Sequence, residues 1–352
     1  MKTRRRFFNR FGKASGPTLG LMVAALLSGA VAETAGQTAD KNYVSAQATV
    51  EPAYAKPGGQ ALLKLRMKIA GDAHVNSNAP KDPNLIPTIF TPRPTAGVVW
   101  GKPQYPEPTE VTEWYSADPL IVFRDGAVIT VPLMIEPTAT GTLELGGTLL
   151  AQACDHEQCY PARRLTITVT LPLAGETSAP AKTALAPAPA EETSKPAEPM
   201  RAQTAAPDFS FTDFDGKSRK LSEFRGKVTL LDFWATWCGP CLADFPHLKE
   251  LRAKHQASGF EIIGMDCETL GDDAADAEAV KEGTAQARGV VARFGAAWTM
   301  AETRSAVTVA REVFKVESLP TKILIDRRGN VVKAVKSRAE LEELLVRLLK
   351  QQ

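Results

Sequence analysis

Neither sign of charge dominates this chain: 42 Lys and Arg residues stand against 40 Asp and Glu, which leaves a formal net charge of +2. A nucleic-acid-binding surface needs a basic excess, so no nucleic-acid partner is expected. Cysteine is scarce, with five residues in 352, which excludes a small fold held together mainly by disulfides. The length instead predicts roughly two ordinary domains, each with a core of its own.

Long apolar runs are also missing after residue 32, where none approaches the ~20 residues of a membrane helix. The apolar run at 19–32 follows a basic segment and ends in Ala-Val-Ala, which predicts a signal peptide over residues 1–32. An uncleaved anchor is the alternative. Arg4-Arg5-Arg6-Phe7-Phe8 resembles a twin-arginine export motif, although a general secretory signal fits the same segment. The protein is therefore expected in the periplasm or another extracytoplasmic compartment, where paired cysteines can form disulfides.

A segment with little hydrophobic content divides the rest of the chain. Residues 174–206 contain eleven Ala and five Pro, with Leu185 and Met200 as their large apolar residues. Such a composition cannot form a core, so it predicts a linker between residues 40–173 and residues 207–352.

The two flanking segments have different periodicities. In residues 40–173, short strand-like runs are separated by Pro and Gly, which predicts an all-β immunoglobulin-like sandwich, with a barrel as the alternative. These runs lie at 61–70, 127–135, 142–151 and 165–171. In residues 207–352, strand and helix patterns are mixed, which predicts an α/β unit with a mixed sheet. Its strands are expected at 228–233, 260–265, 322–326 and 331–335, and its helices at 240–258 and 338–350.

Cys238 and Cys241 form a C-x-x-C motif at the predicted junction of a strand and a helix. Backbone N–H groups and the dipole at a helix N-terminus favour thiolate over thiol, which predicts Cys238 as a nucleophile. Cys241, about one turn further on, can resolve a mixed disulfide on Cys238. Asp232 on the preceding apolar strand is expected to have a raised pKa and to exchange a proton with Cys241. A hydrogen-bonded core residue is the alternative for Asp232.

The sequence WATWCGPC at 234–241, with Leu-Pro-Thr at 319–321, resembles the TlpA/ResA-like thioredoxins. The resemblance covers residues 207–352. It implies a thioredoxin fold with disulfide reductase activity, an active-site motif that includes Trp237, and a cis-proline at Pro320 facing the disulfide.

A second cysteine pair, Cys154 and Cys159, lies in a short loop between strand-like runs. In an exported protein this spacing predicts a disulfide, and the spacing alone leaves a purely structural disulfide open. A metal site with His156 has no evident fourth ligand. Asp155, His156 and Glu157 are expected to tune the charge of a thiolate, or simply to lie in a solvated surface loop.

The segments HVNSN at 74–78, LIPT at 85–88 and QAC to CYP at 152–161 resemble the N-terminal periplasmic domain of the DsbD family. The resemblance implies an immunoglobulin-like module whose cysteine pair accepts electrons from a thioredoxin-like domain and passes them to partner proteins. That family joins its soluble domains through a membrane domain, whereas this chain has a polar linker. A separate membrane thiol reductase is therefore expected as electron donor, with disulfide-containing proteins as clients.

The favoured function is reduction of client disulfides, or electron relay between the two cysteine pairs, because Gly239-Pro240 resembles reducing thioredoxins. One alternative is the oxidising direction. Another is a β-module that binds clients or a metal and is maintained by the thioredoxin unit. No cofactor is expected, and zinc at the C-x-x-C with His247 or His255 does not fit the strand-to-helix context.

Two further features depart from the family pattern or stand outside it. Cys267 is expected to be a small buried thiol rather than a reactive one. The acidic, Ala-rich residues 268–289 are interpreted as an insertion.

Overall fold

The structure, a computed structural model, describes residues 43–174, 204–272 and 275–351. The expected signal peptide at 1–32 and residues 175–203 of the expected linker lie outside the described residues.

Residues 43–174 are built from short strands joined by turns. The strands are β1 (Val44–Glu51), β2 (Gln60–Ile69), β3 (His74–Asn76), β4 (Ile89–Pro92), β5 (Val98–Trp100), β6 (Thr109–Val111), β7 (Leu120–Phe123), β8 (Val128–Ile135), β9 (Thr142–Ala151), β10 (Ala153–Cys154) and β11 (Arg163–Pro172). They form three antiparallel sheets in the orders β1-β2-β8-β5, β10-β3-β7-β6 and β11-β9-β4. The four runs expected from the sequence match β2, β8, β9 and β11 to within two residues at each end.

Buried and more exposed side chains alternate along the long strands. In β2, every second side chain from Ala61 to Ile69 is buried, and β8 repeats the pattern from Ile129 to Ile135. Leu65 pairs directly with Ile129 across the two strands, so both apolar sets face the same side of the sheet. The shortest strands, such as β3 and β6, have three residues each and carry too little alternation to be predicted.

The C-terminal part of the chain combines a six-stranded mixed sheet, a two-stranded sheet and helices. The strands of this part are β12 (Thr204–Ala205), β13 (Ser210–Thr212), β14 (Ser218–Lys220), β15 (Val228–Trp234), β16 (Phe260–Asp266), β17 (Thr299–Ala301), β18 (Thr321–Ile325) and β19 (Asn330–Val335), of which β13 and β14 form the two-stranded sheet. Its α-helices are α1 (Gly239–His255), α2 (Ala277–Phe294), α3 (Thr303–Thr308) and α4 (Arg338–Leu349). Short 3-10 turns lie at Leu221–Phe224 and Gln256–Ser258, and Val309–Phe314 is π-helical. Among the described residues, no helix is long and apolar enough to cross a membrane.

Strand β15 is the centre of the six-stranded sheet, whose order is β12-β19-β18-β15-β16-β17. It runs parallel to β16 and antiparallel to β18, and all seven of its residues are buried. A strand covered on both faces reads as a continuous apolar run, which is why the sequence predicted it.

Helix α2 occupies much of the stretch that was interpreted as an insertion. It begins at its N-cap Asp276, whose Oδ1 accepts hydrogen bonds from the backbone N–H groups of Glu278 and Ala279. Its buried residues are Gly283, Ala287 and Val290. Because two of these three are very small, the helical periodicity of apolar residues is weak, and the sequence analysis did not predict this helix.

Apolar side chains gather into two cores. One is formed by the three sheets of residues 43–174 and includes Leu63, Leu145 and Leu149. The other surrounds β15 and α1. Cys154 and Cys159 belong by sequence to the first set of strands, yet they are buried in the second core. The described residues after Lys41 form one compact unit.

Candidate active site

Cys238 is the N-cap residue of α1, and it is disulfide-bonded to Cys241. Buried strand β15 delivers the chain to this point, and Pro240 occupies the first helical turn, where its missing N–H leaves no donor unsatisfied. The backbone N–H of Cys241 points at Cys238 Sγ, 3.3 Å away. The first residue of the pair thus faces the positive end of the helix, an arrangement that stabilises a thiolate there once the disulfide is reduced.

The loop before Cys238 is held by Glu268. One carboxylate oxygen accepts a hydrogen bond from the backbone N–H of Thr236 at 2.8 Å, and the other accepts one from the Thr236 hydroxyl at 2.7 Å. The indole N–H of Trp237 donates to the Glu268 carbonyl oxygen at 2.9 Å. Burial raises the pKa of Glu268, and the two bonds from Thr236 oppose that rise. Trp237 therefore sets the shape of the loop, and Glu268, which the sequence analysis placed only at the start of an insertion, is part of the site.

Asp232 is buried on β15, directly opposite Lys322 on β18. The Lys322 ammonium lies 3.5 Å from Asp232 Oδ1 and donates to Asp244 Oδ2 at 2.6 Å. Burial raises the pKa of Asp232 even though Lys322 opposes the rise. Burial would also raise the pKa of Asp244, but Lys322 and Arg338 together hold it below its ordinary value. The pKa values of these two carboxyl groups are thus shifted in opposite directions. Asp232, with the raised pKa, is the one suited to carry a proton.

The Leu319–Pro320 peptide bond is cis. It immediately precedes β18, and Lys322 is two residues further on. The Thr321 hydroxyl donates to the Ser318 carbonyl oxygen at 2.7 Å, which closes the loop around the proline.

The second pair, Cys154 and Cys159, is also disulfide-bonded. Asp155 holds the loop between them by accepting hydrogen bonds from the backbone N–H groups of Glu157 and Gln158, both at 2.8 Å. The Tyr160 hydroxyl donates to the other Asp155 oxygen at 2.8 Å. Both carboxylate oxygens of Asp155 therefore accept hydrogen bonds that stabilise the conformation of this loop.

His156 pairs with Glu113 rather than with either sulfur. Its Nδ1 lies 2.9 Å from Glu113 Oε2, and its carbonyl oxygen accepts a hydrogen bond from the indole N–H of Trp114 at 2.8 Å. In residues 43–174, 204–272 and 275–351, no group of three or more His, Cys, Asp or Glu side chains is arranged to hold a metal ion.

The second cysteine pair lies against the loop that contains the cis-proline. The backbone N–H of Cys159 donates to the Leu319 carbonyl oxygen at 2.7 Å, and the Leu319 N–H donates back to the Cys159 carbonyl oxygen at 2.9 Å. This is an isolated antiparallel bridge between the second pair and the residue before the cis-proline. The Ser318 hydroxyl donates to the Gln158 side-chain oxygen beside it.

Tyr115 covers the first pair from the side of the β-strands. An ideal Cβ added to Gly239, which lies between Cys238 and Cys241, would come within 2.5 Å of its ring. Glycine at this position of the C-x-x-C therefore allows the aromatic ring to lie directly on the motif. Tyr115 could not be predicted from the sequence, because no local pattern links it to a motif more than one hundred residues later.

Cys267 follows β16 and is fully buried, and its N–H donates to the Trp234 carbonyl oxygen at 2.8 Å. Burial first, and then the carboxyl groups of Asp266 and Asp232, raise the pKa of its thiol well above the ordinary value. A thiol kept protonated and enclosed is a poor nucleophile.

Comparison with known proteins identifies the C-terminal half. The family model described as Redoxin matches residues 201–343. The thiol-disulfide oxidoreductase ResA of Bacillus thuringiensis subsp. konkukian is 30% identical over 154 residues, which are 43% of this chain and 80% of that protein. ResA of Geobacillus thermodenitrificans is 30% identical over 141 residues, which are 40% of this chain and 72% of that protein.

Among solved structures, a thiol-disulfide oxidoreductase from Bacteroides fragilis is 23% identical, with a TM-score of 0.34, and the match covers 41% of this chain and 99% of that one. The family match at residues 201–343 includes the C-x-x-C motif, the central sheet and the cis-proline loop described above. Through the thioredoxin-fold domain in its C-terminal half, the chain belongs to the ResA-type thiol-disulfide oxidoreductases.

Proposed function

We propose that this protein reduces disulfides in client proteins outside the cytoplasm, by passing two electrons from Cys238–Cys241 to Cys154–Cys159 within one chain. The observation that carries the proposal is the antiparallel bridge between Cys159 and Leu319. An extended peptide binds to a free backbone edge through paired N–H and C=O groups. Cys159 is bound to the cis-proline loop in that manner, as an extended disulfide substrate would be.

Burial supports the same electron path. Cys154, Cys159, Cys238 and Cys241 are all at most 3% exposed and belong to one apolar core. A static disulfide needs no contact with the cis-proline loop of the thioredoxin fold. A relay does require Cys154–Cys159 to lie against the cis-proline loop, because thiol-disulfide exchange passes through a mixed disulfide between the two pairs.

The proposed exchange has two steps. The Cys238 thiolate attacks Cys159 Sγ, the bond between Cys154 and Cys159 breaks, and its electron pair leaves on Cys154. Cys241 then gives its thiol proton to Asp232 and attacks Cys238 Sγ, which releases Cys159 as a thiolate. The first pair ends as a disulfide. The second ends as a dithiol, after taking up the proton from Asp232 and one from solvent.

We assign residues 40–173 to an immunoglobulin-like module of the DsbD N-terminal type, residues 174–206 to a linker and residues 207–352 to the thioredoxin domain. Two observations support the first assignment: the three antiparallel sheets, and the position of Cys154 on the short strand β10, which pairs with β3. Residues 1–32 are assigned to a signal peptide of twin-arginine type. A separate membrane thiol reductase would then return electrons to Cys238–Cys241.

The relay is tested by trapping the mixed disulfide in the full chain. The double variant Cys154→Ser/Cys241→Ser keeps Cys159 and Cys238 and removes both resolving thiols. Mild oxidation of the monomer should give a Cys159–Cys238 disulfide, detected by peptide mass spectrometry. The matched control, Cys159→Ser/Cys241→Ser, keeps Cys154 and should give little cross-link. Equal yields from the two variants, or cross-links between molecules only, would contradict the proposal.

A further inference from the structure

His74 lies beside the second cysteine pair on the neighbouring strand. It is the direct antiparallel partner of Cys154 in the pairing of β3 with β10. Residues directly opposite each other in such a pair point to the same face, with Cβ atoms about 4.5–5.5 Å apart. The imidazole therefore lies next to the Cys154–Cys159 disulfide, and it is only 1% exposed.

Neither ring nitrogen of His74 has a hydrogen-bond partner among the described residues, although both are buried. A buried polar group without a partner is costly, so each such group in a folded protein needs an explanation. A disulfide sulfur offers imidazole no proton to accept. After reduction, Cys154 becomes a thiol, which can donate to an imidazole nitrogen, or a thiolate, which can accept from its N–H.

The charged groups that act on His74 come from three segments: Glu113 before β7, Arg124 after it, and Asp155 in the loop between the two cysteines. Burial, assisted by Arg124 and opposed by the two carboxylates, lowers the pKa of His74 to about 4 in the disulfide form. The buried Tyr115 hydroxyl lies in the field of the same three groups. Imidazole is therefore neutral near pH 7, so it can accept a proton.

We propose that His74 exchanges a proton with Cys154 during thiol-disulfide exchange, an inference that rests on the proposed redox role of Cys154–Cys159. In client reduction, the Cys159 thiolate first attacks a client disulfide and forms a mixed disulfide, leaving a thiolate on the client. His74 then takes the thiol proton of Cys154, whose sulfur attacks Cys159 Sγ. The bond between Cys159 and the client breaks, and its electron pair leaves on the second client sulfur. The two client thiolates take up the proton from His74 and one from solvent.

The wild-type chain provides a test that needs no substitution. The chain has four histidines, so the imidazole C–H signals can be followed by NMR as a function of pH in the oxidised and the reduced protein. In the reduced protein, the His74 signal should show a second titration step at the pH at which Cys154 loses its proton, because the imidazole N–H then donates to the thiolate. The oxidised protein should lack this step, and its absence from the reduced protein would overturn the proposal.

The variant His74→Gln tests the effect on Cys154 itself. In the reduced chain, the rate of Cys154 alkylation is measured against pH by mass spectrometry. Loss of the imidazole should raise the midpoint of this profile by about one unit and slow alkylation at pH 7 about tenfold. The control His255→Gln, on α1, should reproduce the wild-type alkylation profile. Both variants should also have the same melting curve as the wild type, which shows that their fold is intact. A His74→Gln profile that superimposes on the wild type would exclude proton exchange.

These readouts separate the two proposals. If the cysteine-trapping experiment fails but the His74 signal and the Cys154 profile shift as expected, the relay is wrong and the role of His74 stands. If trapping succeeds and neither readout shifts, His74 alone is excluded. If Cys154–Cys159 resists reduction by a strong phosphine in the folded chain, both proposals are wrong.

Discussion

Asp232 and Lys322 face each other across the central sheet, although ninety residues separate them in the sequence. Asp232 could be predicted because an acidic residue on an apolar strand close to a C-x-x-C is a local pattern. Its partners could not be predicted, because strand order and helix packing bring Lys322, Asp244 and Arg338 together, and no local signal encodes that order. Glu268 was missed for the same reason, since its contact with Thr236 spans the βαβ connection.

The raised pKa of Asp232 predicts a pH-dependent effect of Asp232→Asn. Ionised Asp232 costs free energy in the folded chain, so its favourable contribution is present below the unfolded pKa and is lost as the pH rises through the folded pKa. Asp232→Asn should therefore raise the free energy of unfolding at pH 8 by roughly 1–3 kcal/mol, a gain that disappears below about pH 4.

Urea unfolding at the two pH values measures this effect, with the exposed Asp118→Asn as control. Asp232→Asn should also slow the resolution of a mixed disulfide on Cys238 by about 100-fold, because the group that accepts the Cys241 proton is gone. Unchanged stability at pH 8, or an equal gain at both pH values, would show that Asp232 is not the buried acid described here.

Strand β9 is the middle strand of its sheet and carries two adjacent glycines, Gly146 and Gly147. An ideal Cβ on Gly146 would collide with the carbonyl oxygen of Ile167 on β11, and one on Gly147 with that of Thr91 on β4. The strand itself was predicted from its apolar residues. The close approach of both neighbours could not be predicted, because it depends on which strands flank β9.

Two glycine substitutions should therefore change stability in opposite directions. Gly146→Ala should lower the free energy of unfolding by about 1–3 kcal/mol, because a neighbouring strand must move. Gly289→Ala should raise it by about 0.5–1 kcal/mol, because Gly289 lies on α2 with nothing near its Cβ position, and alanine favours a helix. Denaturant unfolding of both variants is the measurement. If both substitutions changed the free energy of unfolding equally, the space around each glycine would not determine the effect of the substitution.

Both cysteine pairs are enclosed when the strands of residues 43–174 and the thioredoxin fold are in contact. Arg338 on α4 lies 5.1 Å from the ring centre of Trp114, and Tyr115 covers Gly239, so one short segment touches both α4 and the C-x-x-C. The sequence predicted two halves and two cysteine pairs from composition and spacing, and left the second pair open as redox-active or structural. It did not predict that Cys159 contacts the cis-proline loop, because an Ala- and Pro-rich linker allows docked and separated arrangements alike.

Removing the Tyr115 ring should open the first cysteine pair. In Tyr115→Ala, reduction of Cys238–Cys241 by a small thiol is expected to be about tenfold faster, the effect of ~1.4 kcal/mol less protection. Tyr54→Ala is the control, because Tyr54 is a half-exposed tyrosine on the strand-rich half. Stopped-flow reduction followed by alkylation gives both rates. If Tyr115→Ala were reduced no faster than Tyr54→Ala, Tyr115 would not limit access to the site.

The direction of electron flow is decided by the reduction potentials of the two pairs, measured in the same full chain. The purified protein is equilibrated in graded thiol-disulfide buffers, and each cysteine is assigned by alkylation and mass spectrometry. The account predicts that Cys238–Cys241 is the more reducing pair, by about 30 mV or more, which corresponds to at least a tenfold preference for electrons on Cys154–Cys159. A Cys154–Cys159 pair that is the more reducing of the two, or that cannot be reduced in the folded chain, would contradict the relay.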